Sequence, residues 1–396
     1  MKSLQNLYLY FHFPFCLKKC HYCDFYSICT TDQIPDFRDA LLLEMDQYAA
    51  VLKQSKIKTI YFGGGSPNLI SSKDLVSILS RLKNYNDLAD IEEFTIEINP
   101  GEISAQKLVD FANSGVNRIS LGAQSFIDDE LKFLGRIHNS QMILTTIDRV
   151  RNSGIRNLSL DLIYGIPGQN MENWQYNLDQ ALGTSVDHFS FYNLIYEPET
   201  PLTRLRNAHK LKPVNENLEF AMFQRAHKVL EKAGYHHYEI SNWAQINKES
   251  KHNSAYWEGS NYLGFGPSAH SLLNGKRWSN VRSVDQYCQL LTRHQSAVEA
   301  IELLDKNQSA AEFIMLKLRR AKGLSVDEFQ NLTHRDFSKI LEAVQKKFDG
   351  QLIPKYAELK NNNLVLSLDG WFICDYIVQE IFNQTKELEY DYKKNP

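Results

Sequence analysis

The sequence predicts an α/β chain: six strand-then-helix units wound into a partial barrel, followed by a small α+β domain resembling a winged helix. Three observations carry this prediction. Apolar runs of strand length alternate with helical periodicity over about 235 residues. The chemically unusual residues fall just after those strands, at one end of the sheet, where barrel enzymes place their chemistry. Past residue 300 the pattern changes to two helices around Gly323, a short hairpin and a closing helix.

The elements follow in order. Residues 7–13 (LYLYFHF) form an apolar strand that ends just before Cys16, and residues 35–54 carry apolar positions at helical spacing. A second strand begins at 57 (IKTIYF) and stops at Gly63-Gly64-Gly65, followed by a helix over 72–84. Strand 93–98 (EFTIEI), helix 104–114 and strand 117–122 (NRISLG) come next. A helix near 140–153, strand 158–163, helix 171–182, strand 188–194 and helix 216–233 complete the series. Strict alternation implies parallel strands joined by right-handed crossovers. A doubly wound open sheet is the alternative to a barrel.

At 396 residues the chain exceeds the usual size of a single domain. The division expected is a core barrel over 1–240, a connecting segment over 241–300 and a C-terminal domain over 301–396. Hydrophobic residues at 43% and charged residues at 23% fit a globular protein, and a formal net charge of −3 gives no basic field for nucleic acid. Residues 305–396 hold 14 Lys+Arg against 14 Asp+Glu, so the winged-helix-like domain is not expected to bind DNA. No apolar run reaches transmembrane length. The opening MKSLQNLYLYFHF has one Lys and no small-residue cleavage site, so no signal peptide is expected. Cys29, Cys288 and Cys374 are scattered, which suits a reduced, cytoplasmic protein better than a disulfide framework.

The other three cysteines, Cys16, Cys20 and Cys23, form C-x3-C-x2-C, a spacing that chance gives in roughly one such chain per thousand. A structural zinc site normally needs four protein ligands; His12 and His21 are the candidates for a fourth. A 4Fe–4S cluster also takes four, so three thiolates leave one iron open for a cofactor or substrate. Gly63-Gly64-Gly65-Ser66-Pro67, Glu97 and Asn99, Gln124 and Ser125, and Asp161 lie at the ends of the next four strands. Each has an ordinary reading as a turn or a helix cap, but together they mark one rim.

The motifs YFHFPFCLKKCHYCDF, FGGGSPNLI, TIEINPGEI, RISLGAQSF, LGRIH and LDLIYGIPGQ, spread over residues 10–169, resemble those of the radical S-adenosylmethionine (SAM) enzymes. Their order and spacing resemble the branch holding oxygen-independent coproporphyrinogen III oxidase and its heme-chaperone paralogue. The resemblance implies a TIM-like partial (β/α)6 barrel and a 4Fe–4S cluster on Cys16, Cys20 and Cys23. It implies SAM contacts from Tyr10, Tyr22, Gly64, Gly65, Ser66, Glu97, Gln124, Arg136 and Asp161. Glycine carbonyls free of side chains suit the methionyl amino group, and an acid and a guanidinium suit the charged and hydroxylated parts of SAM.

Two departures separate the branches. The oxidase carries a further cysteine two places after the third, where this chain has Phe25. Residues 252–257 fit the H-N-x-x-Y-W stretch associated with the chaperone, with His252, Asn253, Tyr256 and Trp257 as candidate heme contacts. Histidine ligates heme iron and the aromatic rings offer flat apolar surface. His236, His237 and His270 are alternative ligands. The resemblance thus implies a protein that binds heme and passes it to an acceptor protein, with the oxidase as the alternative and no catalytic residue assigned.

Overall fold

The computed structural model describes residues 5–394. Six parallel strands pair in chain order: β1 (Gln5–Phe13), β2 (Ser55–Gly64), β3 (Glu93–Ile98), β4 (Arg118–Gln124), β5 (Asn157–Tyr164) and β6 (His188–Asn193). A doubly wound sheet would reverse direction part-way across; this one does not. The crossover helices are Ile34–Gln47, Ser72–Lys83, Ala105–Asn113, Ser140–Asn152, Met171–Gly183 and Glu216–Lys232. Five of them start beneath a side-chain cap from Ser71, Ser104, Asn139, Asn170 or Asn215, and the first carries Pro35 in its opening turn.

One helix differs from expectation. The segment expected as 35–54 breaks at Tyr48 into Ile34–Gln47 and Ala49–Lys53. Tyr48 leaves helical geometry there and stacks on Trp278 at 6.0 Å, with an edge contact to Phe265 at 5.8 Å. Packing of one aromatic ring outweighs the helical pattern.

Strand alternation sorts the side chains by face. Leu7, Leu9, Phe11 and Phe13 of β1 and their counterparts Phe62, Ile96, Leu121, Leu160 and Phe189 belong to the main core under the helices. The opposite face looks into the barrel and is polar: Thr59, Thr95, Ser120, Ser159 and Ser190 are buried there. That interior is unlike the branched apolar layers that fill a closed eight-stranded barrel.

The sheet is larger than six strands. β7 (His236–Glu239) and β8 (Asn242–Ala244) form a hairpin, and β8 pairs antiparallel with β6. On the other edge β9 (Tyr262–Phe265) runs parallel to β1 and is followed by antiparallel β10 (His270–Leu273), β11 (Lys276–Asn280) and β12 (Val298–Leu303). Among the described residues β1 and β6 therefore have other partners than each other, and the barrel stays open. Residues 241–300, expected as a connecting segment bearing the H-N-x-x-Y-W motif, carry β8 to β11, the start of β12 and the helix Lys251–Glu258. The β7–β8 hairpin spans position 240 and β12 spans position 300.

Beyond β12, the helix Lys306–Leu318 leads through β13 (Leu324–Ser325), helices Val326–Thr333 and Phe337–Lys347, and the hairpin β14 (Ala357–Lys360) and β15 (Asn363–Leu366) to the helix Cys374–Lys394. The three strands form their own sheet, ordered β13-β15-β14. This is the winged-helix-like arrangement expected. Gly323 permits it: its φ is +73°, and a Cβ there would meet the Leu364 carbonyl at 2.3 Å.

Candidate functional site

The barrel floor is built first. Glu93, at the start of β3, accepts hydrogen bonds from the backbone N–H groups of Lys251 (2.8 Å) and His252 (3.2 Å), so its carboxylate meets the N-terminus of the helix Lys251–Glu258. His252 stands on that helix inside the barrel. Its Nδ1 lies 2.6 Å from Thr59 Oγ1, its Nε2 3.0 Å from the Tyr256 hydroxyl, and its ring stacks on Tyr61 at 4.9 Å. Burial lowers its pKa to about 3, so it is neutral.

At the mouth the cysteine loop is pinned from three sides. Cys16 N–H donates to Ile28 O (3.0 Å), His21 N–H to Leu134 O (3.0 Å) and Leu202 N–H to His21 O (3.1 Å). Cys16, Cys20 and Cys23 are all free thiols and line one cavity of about 480 Å³. Burial pushes the Cys23 thiol up to about 11 and raises Cys16, which makes neither a ready nucleophile. Buried thiols of this kind lose their protons to a metal's charge, as ligands do. A multi-iron cluster takes each thiolate on a different iron, and the residues present fit that demand.

The glycine motif lies directly against this loop. Gly65 N–H donates to Phe13 O (2.8 Å) and Ser66 N–H to Phe15 O (2.7 Å). Gly64 holds φ at +109°, and a Cβ on it would come within 2.6 Å of the His12 ring. From β3, Glu97 accepts from Tyr61 Oη (2.7 Å) and from the Gly64 N–H (3.2 Å). Burial, with Asp161 nearby, raises Glu97 to about 7. Arg136 donates to Asn99 Oδ1 (2.6 Å), to Gly122 O (2.7 Å) and to Cys20 Sγ (3.4 Å), placing a fixed cation beside one of the three loop thiols. Asp161 accepts from Ser120 at 3.0 Å, and burial raises its pKa. Gln124 closes β4 at φ +67°, just past a register shift against β5.

Of the residues expected at SAM, Tyr22, Gly64, Gly65, Ser66, Glu97, Gln124, Arg136 and Asp161 line this cavity together with the three cysteines. Tyr10 does not. It stacks on Tyr61 at 6.0 Å and faces a second cavity of about 540 Å³, as does Tyr256. Asp24 and Phe25 line both cavities. The H-N-x-x-Y-W stretch is split by helical geometry. His252 and Tyr256 share one face; Asn253 and Trp257 occupy another, where Trp257 adjoins the buried Glu239. Sequence reasoning passed over Ser120, Tyr192 and the bonding role of Asn99. Asn99 Nδ2 donates to Ser66 Oγ (2.7 Å), and Tyr192 projects from the end of β6 into the cavity. Their signal was strand alternation, since each shares the interior face with a residue already singled out.

The radical SAM superfamily model matches residues 10–181. The curated protein "Heme chaperone HemW" of Bacillus subtilis is 34% identical over 339 residues, 85% of this chain and 89% of the relative. Its Lactococcus lactis counterpart is 35% identical, over 84% of this chain and 86% of that one. The chain belongs to the HemW family of radical SAM proteins. The HemW of Haemophilus influenzae matches it at 30% identity over 95% of this chain and 96% of its own. Among solved structures, coproporphyrinogen III oxidase (HemN) from Escherichia coli superposes with a TM-score of 0.80 over 97% of this chain and 90% of that one, at 20% identity. That likeness is one of fold. HemW-family membership and the shared fold agree with the open six-stranded barrel and its C-terminal domain.

Proposed function

We propose that this protein is a heme chaperone: it holds a 4Fe–4S cluster on Cys16, Cys20 and Cys23, binds SAM beside it, carries heme and passes it to an acceptor protein. The match to curated heme chaperones along 84 to 95% of the chain carries this reading. Phe25, standing where the oxidase has its additional cysteine, supports it.

Within that reading, Gly64, Gly65 and Ser66 hold the amino acid end of SAM. Glu97, Gln124, Arg136 and Asp161 hold its polar remainder, with Tyr22 over the loop. When bound, the cluster supplies a redox centre with one iron open to SAM. The H-N-x-x-Y-W helix serves the heme side, with Tyr256 as its contact surface and His252 as the group that sets it. The protein works in the cytoplasm. No helix among the described residues is long and apolar enough to cross a membrane. The balance of 14 Lys+Arg against 14 Asp+Glu over residues 305–396 argues against nucleic acid as a partner.

Anaerobic reconstitution of the full chain, followed by titration with hemin and a separate incubation with coproporphyrinogen III, SAM and reductant, tests the proposal. About one heme per chain should bind, and no protoporphyrinogen IX should form. Robust decarboxylation would hand the function to the oxidase, whatever the titration gave.

A further inference from the structure

The second cavity lies against the cysteine loop, sharing Asp24 and Phe25 with the first. At about 540 Å³ it is within the range of ligand sites. Aromatic rings dominate its wall. Tyr256 and Tyr262 meet edge to face at 4.6 Å and 89°, and Leu272 and Leu316 add apolar surface.

Two histidines line it, and they differ in availability. His12 is buried, and both its nitrogens are occupied: Nδ1 by the Tyr10 hydroxyl at 3.2 Å and Nε2 by the Tyr26 carbonyl at 2.9 Å. His270, on β10, is exposed, and among the described residues no hydrogen bond engages its ring. Partial burial of that ring lowers its pKa further below neutrality, so it is an uncharged donor at pH 7. At the rim, exposed Arg282 lies 5.8 Å over the Tyr26 ring with no ion pair among the described residues. The nearby Glu312 carboxylate is already paired with Arg277.

Heme is a flat apolar ring with an iron that seeks a nitrogen ligand and two carboxylates that seek cations. We propose that this cavity seats heme, with His270 as an axial ligand, Tyr256 and Tyr262 against the macrocycle and Arg282 on a propionate. This inference rests on the heme-chaperone reading above. His252 then acts as a positioning residue: both its nitrogens are held inside the protein, one of them by the Tyr256 hydroxyl.

Hemin titration of the full-length, anaerobically reconstituted protein separates the possibilities. His270→Ala should shift the Soret band and weaken binding by about tenfold or more, and added imidazole should restore the wild-type band. Leu316→Trp, which fills the cavity without touching a ligand, should weaken binding with less spectral change. Iron content and the effect of SAM on the cluster's electron paramagnetic resonance should stay as in wild type for both. Wild type that binds heme beside two variants that match it in band and affinity overturns the cavity assignment and leaves the chaperone reading standing. Wild type that binds no heme sinks both.

Discussion

A methyl group at Gly65 would stand 2.6 Å from the Phe15 carbonyl oxygen and 3.0 Å from the Cys16 sulfur. Neither neighbour can move without moving the loop that carries the three thiols. Gly65→Ala should therefore lower iron content per chain after reconstitution, whereas Gly183→Ala, whose new methyl meets nothing within 4 Å, should not. Cys16→Ala, Cys20→Ala and Cys23→Ala should each abolish the cluster's visible absorbance; Cys29→Ala, Cys288→Ala and Cys374→Ala should retain it. Full cluster in any of the first three would refute the ligand assignment. Gln124 raises the opposite question, because a side chain is kept where glycine is easier. Its φ of +67° costs a non-glycine residue about 1 kcal/mol. Gln124→Gly should raise the unfolding midpoint yet weaken SAM binding. Equal or tighter SAM binding by the variant would remove Gln124 from the cofactor site.

Among the elements, the helix Ile34–Gln47 shows how distant strands are tied together. Its Glu44 accepts from Gly266 N–H (2.8 Å), Tyr287 Oη (2.6 Å) and Asn280 Nδ2 (2.6 Å), joining the helix to the β9–β11 side of the sheet. Burial lifts its pKa from an ordinary 4.5 to about 7. The folded-state pKa lies above the unfolded one, so the native chain keeps a proton that the unfolded chain releases. The stability this contributes is present below pH 4.5 and lost as pH rises through 7. Urea midpoints at pH 5.5 and 8 should differ less for Glu44→Gln than for wild type; an unchanged difference would mean that Glu44 does not titrate in this window. The six long strands and their helices were legible because apolar runs of strand length and apolar positions at helical spacing are local signals. The short strands β7 to β11, three to five residues each, were not, nor was β12. Four residues carry too little period to count, and their partners lie far away in the chain. Helical spacing likewise puts His252 and Tyr256 on one face, but only the fold reveals that this face fills the barrel floor. The rim residues Glu97, Arg136 and Asp161 could be named from motif alone, whereas Tyr10 lines the neighbouring cavity, together with His12 of the same strand.

For the molecule as a whole, the two cavities meet at Asp24 and Phe25, one and two residues past Cys23. A ligand that presses on that wall must disturb the loop. Hemin added to the reduced, reconstituted protein should therefore alter the cluster's electron paramagnetic resonance spectrum, and Phe25→Ala should diminish that response. A spectrum indifferent to hemin would show the two sites to be independent. The pairing of β9 with β1 also bears on how the chain is made. Leaving the ribosome, β1 finds β2 at once but waits some 250 residues for its other neighbour. At about 5 to 20 residues per second, that is roughly 10 to 50 seconds during which LYLYFHF offers a bare backbone edge to any other strand in the cell. The cysteines follow directly on that edge, and Gly266, just past β9, closes against His12. Loading of iron thus belongs after translation has passed β9, and a nascent chain stalled before residue 262 should aggregate rather than accept a cluster.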